Sequence, residues 1–308
     1  MPTISSIFID KIALCYDMGD DLDGFISMLR DACDDKNSNI RRAYPPHRIK
    51  GYRYSFVLPI SERGDKFCLI SAGSIRPNAR SLRIEWSPHN VGEEGTKIIF
   101  DRLNELLLDD HFNTFKSEAL VTRIDISFDV YPIRVDSLVF DAENYQITTF
   151  YKTNKVQTET INLGSSRSYL HFVVYDKNIE ARRHRRPAPP EQTTRIEAQV
   201  RPNIPLEYLH TISNPFVRLN ICKSVNPNRL LNNYILNLFL DSVRHRGFTA
   251  AVKLLPSHRA RYNMRQLFKH KFSAKWYNGN VLWDGWPSAL RNALWPGYRF
   301  PKCRIRNR

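Results

Sequence analysis

Residues 121–129, VTRIDISFD, alternate without a break. Ile124, Ile126 and Phe128 fall on one side of an extended chain, and Arg123, Asp125, Ser127 and Asp129 on the other. That pattern reads as a strand with one face in a core and the other carrying charge. Two later segments repeat it. In 169–175, Tyr169, His171, Val173 and Tyr175 oppose Leu170, Phe172 and Val174. In 194–200, Arg195, Glu197 and Gln199 oppose Ile196, Ala198 and Val200. Earlier segments at 7–17, 52–60, 67–73 and 81–88 also read as strands joined by short polar connections, which favours antiparallel pairing. Helical spacing of apolar residues predicts helices over 20–35 and 94–112. Residues 134–148 fit no single pattern, and 147–163 reads as a strand or hairpin. These elements imply an α+β fold with a mainly antiparallel central sheet and packed helices.

The character changes after Pro205. Helices are predicted over 205–213, 215–224, 226–246, 247–255 and 259–271. The third of these has Asn226 as its cap, Pro227 in its first turn and Gly247 just past its end. The domain organisation expected is therefore residues 1–205 as one domain and 206–308 as a basic, mostly helical extension. No internal repeat is visible in the sequence.

Charge divides the chain in the same way. Residues 161–308 carry 26 Lys and Arg against 7 Asp and Glu, whereas residues 1–160 carry 20 against 24. A basic excess confined to one half is the electrostatic footprint of a polyanion partner. No apolar run approaches the roughly 18 residues of a membrane-spanning helix, and the N-terminus does not read as a signal peptide. The five cysteines are scattered, with no CxxC pair. That argues against a zinc site and for a reduced, cytoplasmic setting. No phosphate-binding GxxxxGK[ST] or GxGxxG motif is present.

The candidate chemistry lies on the polar faces of the alternating strands. Tyr175 ends one of them and is followed at once by Asp176, Lys177 and Glu180. If the strands are neighbours, Asp125, Glu197, His171 and Tyr175 converge. Asp125 and Asp129 offer hard oxygen ligands to a divalent cation. Between the strands stands RRHRR at 182–186, closed by Pro187, Pro189 and Pro190. It reads as a basic loop, equally a phosphate clamp or a solvated tip.

These segments carry a resemblance. RIDISFD, then INLGSSRS running into HFVVYDKNIEAR, then TRIEAQVR resemble, in order, the motifs of the rolling-circle replication initiation factors of plasmids and filamentous phages. The resemblance spans roughly residues 120–201. It implies a DNA nickase that cuts one strand at an origin and later rejoins it through a 5′-phosphotyrosine. Tyr175 would be the nucleophile, with Lys177 and Glu180 beside it. Asp125, Glu197 and Asp129 would bind Mg²⁺ or Mn²⁺, and Arg123, Arg167, Arg182, Arg183, Arg185, Arg186 and Arg195 would contact DNA. The partners implied are double-stranded origin DNA and the nicked single strand, and the resemblance leaves open a host helicase as a further partner. One departure stands out: Val173 occupies a position two before the tyrosine that is often basic in the family. No two histidines stand in a His-hydrophobe-His pair, so an active site here requires carboxylate ligands. Two other readings compete. One is a non-catalytic DNA-binding regulator of the same fold; the other is an RNA-binding sheet that stacks bases on Tyr169 and Tyr175.

Overall fold

The computed structural model describes residues 2–36, 38–45, 47–77, 79–142, 148–153, 157–223 and 234–294. The fold is α+β, with a large antiparallel sheet and packed helices. Backbone contacts divide the chain into two compact units. One comprises Phe8–Ile126, Arg201–Ser213 and Trp286–Arg308, and is called here the amino-terminal unit. The central unit comprises Met1–Ile7, Ser127–Val200 and Asn214–Gly285. Neither is a continuous stretch of chain, and the residues after 205 contribute to both.

In the amino-terminal unit, β2 (Phe8–Tyr16) leads into α1 (Leu22–Asp34) and then β3 (Arg41–Arg42). A meander follows: β4 (Tyr52–Pro59), β5 (Phe67–Ser74) and β6 (Leu82–Trp86). The strand order is β3-β4-β5-β6-β2, so the last strand of the meander returns to the first strand of the unit. Ile12 faces Trp86 and Leu14 faces Ile84 in that pair. This apolar side is covered by α2 (Pro88–Glu118), which begins with proline in its first turn and is broken by non-helical backbone at Gly92 and Leu108. Phe100 of α2 meets Trp86 edge-on, with ring centroids 5.6 Å apart. The predicted helix over 94–112 is thus the middle of a longer, interrupted one.

Strand β7 (Leu120–Tyr131) runs on from this unit and contributes its second half to the central unit. There β1 (Thr3–Ile4) pairs with its end. After β8 (Leu138–Ala142), the chain forms a second meander: β9 (Thr148–Thr153), β10 (Gln157–Leu163), β11 (Leu170–Asp176) and, past α3 (Lys177–Arg183), β12 (Thr194–Val200). The order is β9-β10-β11-β12-β7. The last strand again returns to the first, as in the amino-terminal unit. Both returning strands carry Arg-Ile-Glu, at 83–85 and 195–197. The recurrence is one of topology, and outside that tripeptide too little sequence recurs to reveal it.

Phe128, Phe172, Val174, Ile196 and Ala198 make the buried side of the central sheet. Phe216 closes it, edge-on to Phe128 at 5.3 Å between ring centroids. Tyr277 donates to the Phe216 carbonyl oxygen at 2.8 Å. The helices predicted over 205–213 and 215–224 are not formed. The chain instead makes β13 (Ile204–Pro205), a 3₁₀ turn over Leu206–Thr211, a second over Pro215–Arg218, and β14 (Leu219–Lys223). The prolines interrupt helix formation, and pairing of β14 with β8, Leu219 opposite Ala142 and Ile221 opposite Phe140, overrides local propensity. Helices α4 (Tyr234–Arg246), α5 (Phe248–Lys253), α6 (His258–Leu267) and α7 (Gly279–Trp283) complete this unit, and α8 (Trp286–Ala293) belongs to the amino-terminal one. Asn226 and Pro227, the expected helix start, lie outside the described residues. Among the described residues no helix is long and apolar enough to cross a membrane.

Candidate active site

The register of β11 against β12 fixes the polar face of the central unit. Tyr175 lies opposite Arg195, Val173 opposite Glu197, and His171 opposite Gln199. On the other flank Thr160 of β10 faces Tyr175. Residues two apart share a face, so His171, Tyr175, Arg195, Glu197 and Gln199 form one array, as their alternation predicts. Tyr175 is half-buried, and the Lys177 ammonium sits 5.9 Å from its ring centroid.

The turn after Tyr175 is built by its neighbours. Asp176 caps α3, accepting from the Ile179 backbone N–H at 2.9 Å, and its other oxygen accepts from the Gln192 amide at 2.8 Å. Asn178 donates to the carbonyl oxygens of Pro189 (3.0 Å) and Glu191 (3.1 Å) and accepts from the Thr193 backbone N–H. It therefore pins the proline-rich loop to the start of α3. Asp176, Asn178 and Gln192 are site-shaping residues that sequence reasoning missed. The signal for Asp176 was present, since a short acceptor directly before a helix is a capping pattern.

The carboxylates expected to bind metal are engaged elsewhere. Asp129 accepts two hydrogen bonds from Arg195, at 2.7 and 2.9 Å. Glu197 is buried and accepts from the Gln199 amide at 2.6 Å. The Gln199 oxygen lies 3.3 Å from His171 Nδ1. Glu180 takes Lys177 at 2.8 Å, with Arg186 at 3.9 Å. In the amino-terminal unit Asp125 is 1% exposed and accepts from Arg123 at 2.8 and 2.7 Å. Burial pushes its carboxyl up, against the pull of Arg123 and Lys11. Among the described residues no three His, Cys, Asp or Glu side chains group to hold a metal ion. Each of these acids has a guanidinium, ammonium or amide partner.

The arginines expected on DNA divide into two groups. Arg123 and Arg195 are committed to the internal pairs just described, and Arg195 is 4% exposed. Arg183 is held by Glu159 at 2.6 Å. Arg182 and Arg186 are exposed and loosely tied, Arg182 through its Nε to the Asn178 carbonyl oxygen at 3.2 Å. Arg167 and Arg185 are exposed, with no ion pair to a described residue.

The polar face of the amino-terminal unit is a second charged array. Glu85 lies between Lys11 (3.0 Å) and Arg83 (2.6 Å). Burial raises its pKa, but the two cations override this and hold the carboxyl below its ordinary value. At the position that Tyr175 occupies opposite Arg195, this unit has Ser71 opposite Arg83. It carries no tyrosine there.

No protein-family model and no curated protein matches this sequence. Among solved structures, the chain is similar to a rolling circle replication initiator protein from Geobacillus stearothermophilus. Identity is 12%, the match covers 80% of this chain and 98% of that one, and the TM-score is 0.39.

Proposed function

We propose that this protein initiates rolling-circle DNA replication by cutting one DNA strand through Tyr175. The observation that carries the reading is Tyr175 itself: a half-buried phenol on the polar sheet face, opposite Arg195, with the Lys177 ammonium over its ring. The motif series in which it stands and the basic second half of the chain support the same reading.

In this reaction the Tyr175 hydroxyl oxygen forms a bond to a backbone phosphorus. The phosphorus–oxygen bond to the 3′ oxygen of the preceding nucleotide breaks, and the phenolic proton ends on that oxygen. One phosphodiester replaces another, so a free 3′ hydroxyl can later reverse the step. A phenol is mostly protonated near neutrality, and a nearby ammonium favours its anion. Lys177 is that ammonium, and its pair with Glu180 keeps it in place. Arg195, fixed by Asp129, holds the β11–β12 face on which the phenol stands. No step is assigned to a metal, because the acids around the phenol are already partnered. Arg167, Arg182, Arg185 and Arg186 supply the exposed charge that positions the DNA backbone.

The partnering of those acids favours a second reading, a DNA-binding regulator with no cleavage activity. One experiment separates the two. The protein is incubated with random-sequence single-stranded oligonucleotides and with supercoiled DNA, with and without Mn²⁺, and then digested for mass spectrometry. A nucleotide adduct on the Tyr175 peptide, absent from Tyr175→Phe, is expected. Binding with no adduct under any condition leaves the regulator.

A further inference from the structure

In the central unit, away from Tyr175, β8 and β14 meet α5 and α6 around an open cavity of about 740 Å³. That volume falls within the range of small-molecule and cofactor sites, roughly 300–1,000 Å³. Its floor is apolar: Phe248 and Phe268 are buried, with ring centroids 4.8 Å apart, beside Val139. Its rim is cationic. Arg265 and Lys269, four residues apart, and Lys253 at the end of α5 all line it. Four-residue spacing puts Arg265 and Lys269 on one side of their helix. Both are exposed, and neither has an ion pair to a described residue.

The helix is irregular at this point. After Leu267 it widens into a π turn, Phe268–Phe272. The Phe268 carbonyl oxygen accepts from the Cys222 thiol of β14, at 3.6 Å. Such turns interrupt α-helices frequently at functional sites. Asp141, the acid of the lining, accepts from the Thr249 hydroxyl at 3.1 Å. Asn220 and Gln266 add amide groups to the lining.

We propose that this cavity binds a nucleotide. The base would lie over the Phe248–Phe268 floor, and the phosphates would lie against Arg265, Lys269 and Lys253. An apolar floor under a cationic rim matches a ligand with one flat, weakly polar end and one multiply charged end. That chemistry comes from two sources, a free nucleotide or a single nucleotide of a bound DNA strand.

The test is calorimetric titration of the full chain with ATP, with tripolyphosphate lacking the base, and with ATP in the presence of a thymidine oligonucleotide. Saturable ATP binding that tripolyphosphate does not reproduce is expected. The double variant Arg265→Gln/Lys269→Gln should weaken it at least about tenfold, since charge-assisted contacts to phosphate are among the stronger ones. Arg218→Gln, an exposed position outside the cavity lining, should leave it unchanged. Displacement of ATP by the oligonucleotide assigns the site to a strand nucleotide, and independence assigns it to a free one. No saturable ATP binding overturns the proposal. So does binding that the double variant leaves intact, or that tripolyphosphate matches. The outcome does not depend on whether Tyr175 cleaves DNA.

Discussion

Replacing Arg195 tests whether its role is architectural or a direct grip on phosphate. Its guanidinium is buried, its side chain 5% exposed, and it makes two hydrogen bonds to an Asp129 carboxylate that is 20% exposed. Removing one partner of a buried pair costs about 3–5 kcal/mol, because the other charge is left uncompensated. Partial exposure of Asp129 lets water recover part of that, so Arg195→Ala should cost about 3 kcal/mol. Asp129→Asn should cost about 2 kcal/mol, because the amide oxygen still accepts one of the two bonds. Combining them removes the orphaned charge, so the double variant should cost about 1–2 kcal/mol less than the sum of the singles. Arg195→Lys should recover only part of the loss, since an ammonium cannot make the paired geometry. The assay is urea unfolding of these variants beside the unaltered protein, with DNA affinity measured alongside on folded samples. Additive single costs, or a large loss of DNA affinity in Arg195→Lys with stability unchanged, would refute the architectural role and put Arg195 on the DNA.

Three further outcomes are expected. Tyr175→Phe should abolish the covalent nucleotide adduct and leave DNA affinity within about twofold, as it removes one oxygen and little volume; an adduct that moves to Tyr169 would reassign the nucleophile. The pKa of Glu85 is lowered on folding from its ordinary 4.5, so its contribution to stability is present above that pH and is lost as pH falls through the folded value. Glu85→Gln should therefore flatten the fall in stability below about pH 4.5, as followed by acid unfolding. Neutralising Arg259, Lys269 and Lys271 together should make the slope of log K against log salt shallower by about 0.9 for each duplex phosphate that these side chains neutralise. An unchanged slope shows that the surface of α6 and the π turn after it is only solvated. Substitution is the proper perturbation here. Deleting the chain after Asp241 would remove Val243, Phe248, Val252 and Phe268 from the core of the central unit, and would test folding instead of binding.

The strands around the candidate site were legible because only one side of each is apolar, although the polar side of β7 and β12 is largely buried as well. In 121–129 and 194–200 the alternation of isoleucine with charge leaves one phase that buries the apolar set, and the β11–β12 register follows it. The pairing of the charges was not legible. Whether Asp129 faces a cation or the Arg195 guanidinium depends on which strand lies beside it, and a sequence of isolated strands does not say. The same limit explains the segment after Pro205. Leu219–Lys223 has enough apolar residues for a helix, and only its partner β8, about 80 residues earlier, makes it a strand. Asn178 lies beyond such reading as well, because its three hydrogen bonds all go to backbone atoms of a distant loop.

The return of each meander to its first strand governs the order in which the chain can fold. Strand β2 finds its partner β6 only about 70 residues later. Ribosomal synthesis at about 5–20 residues per second leaves its edges open for roughly 4–14 s. Contacts of such long sequence separation are slow to close even when both partners are available. The amino-terminal unit also draws on residues 201–213 and on α8, which packs against α2. Synthesis therefore delivers the helix that packs on these strands only after every described residue of the central unit has emerged.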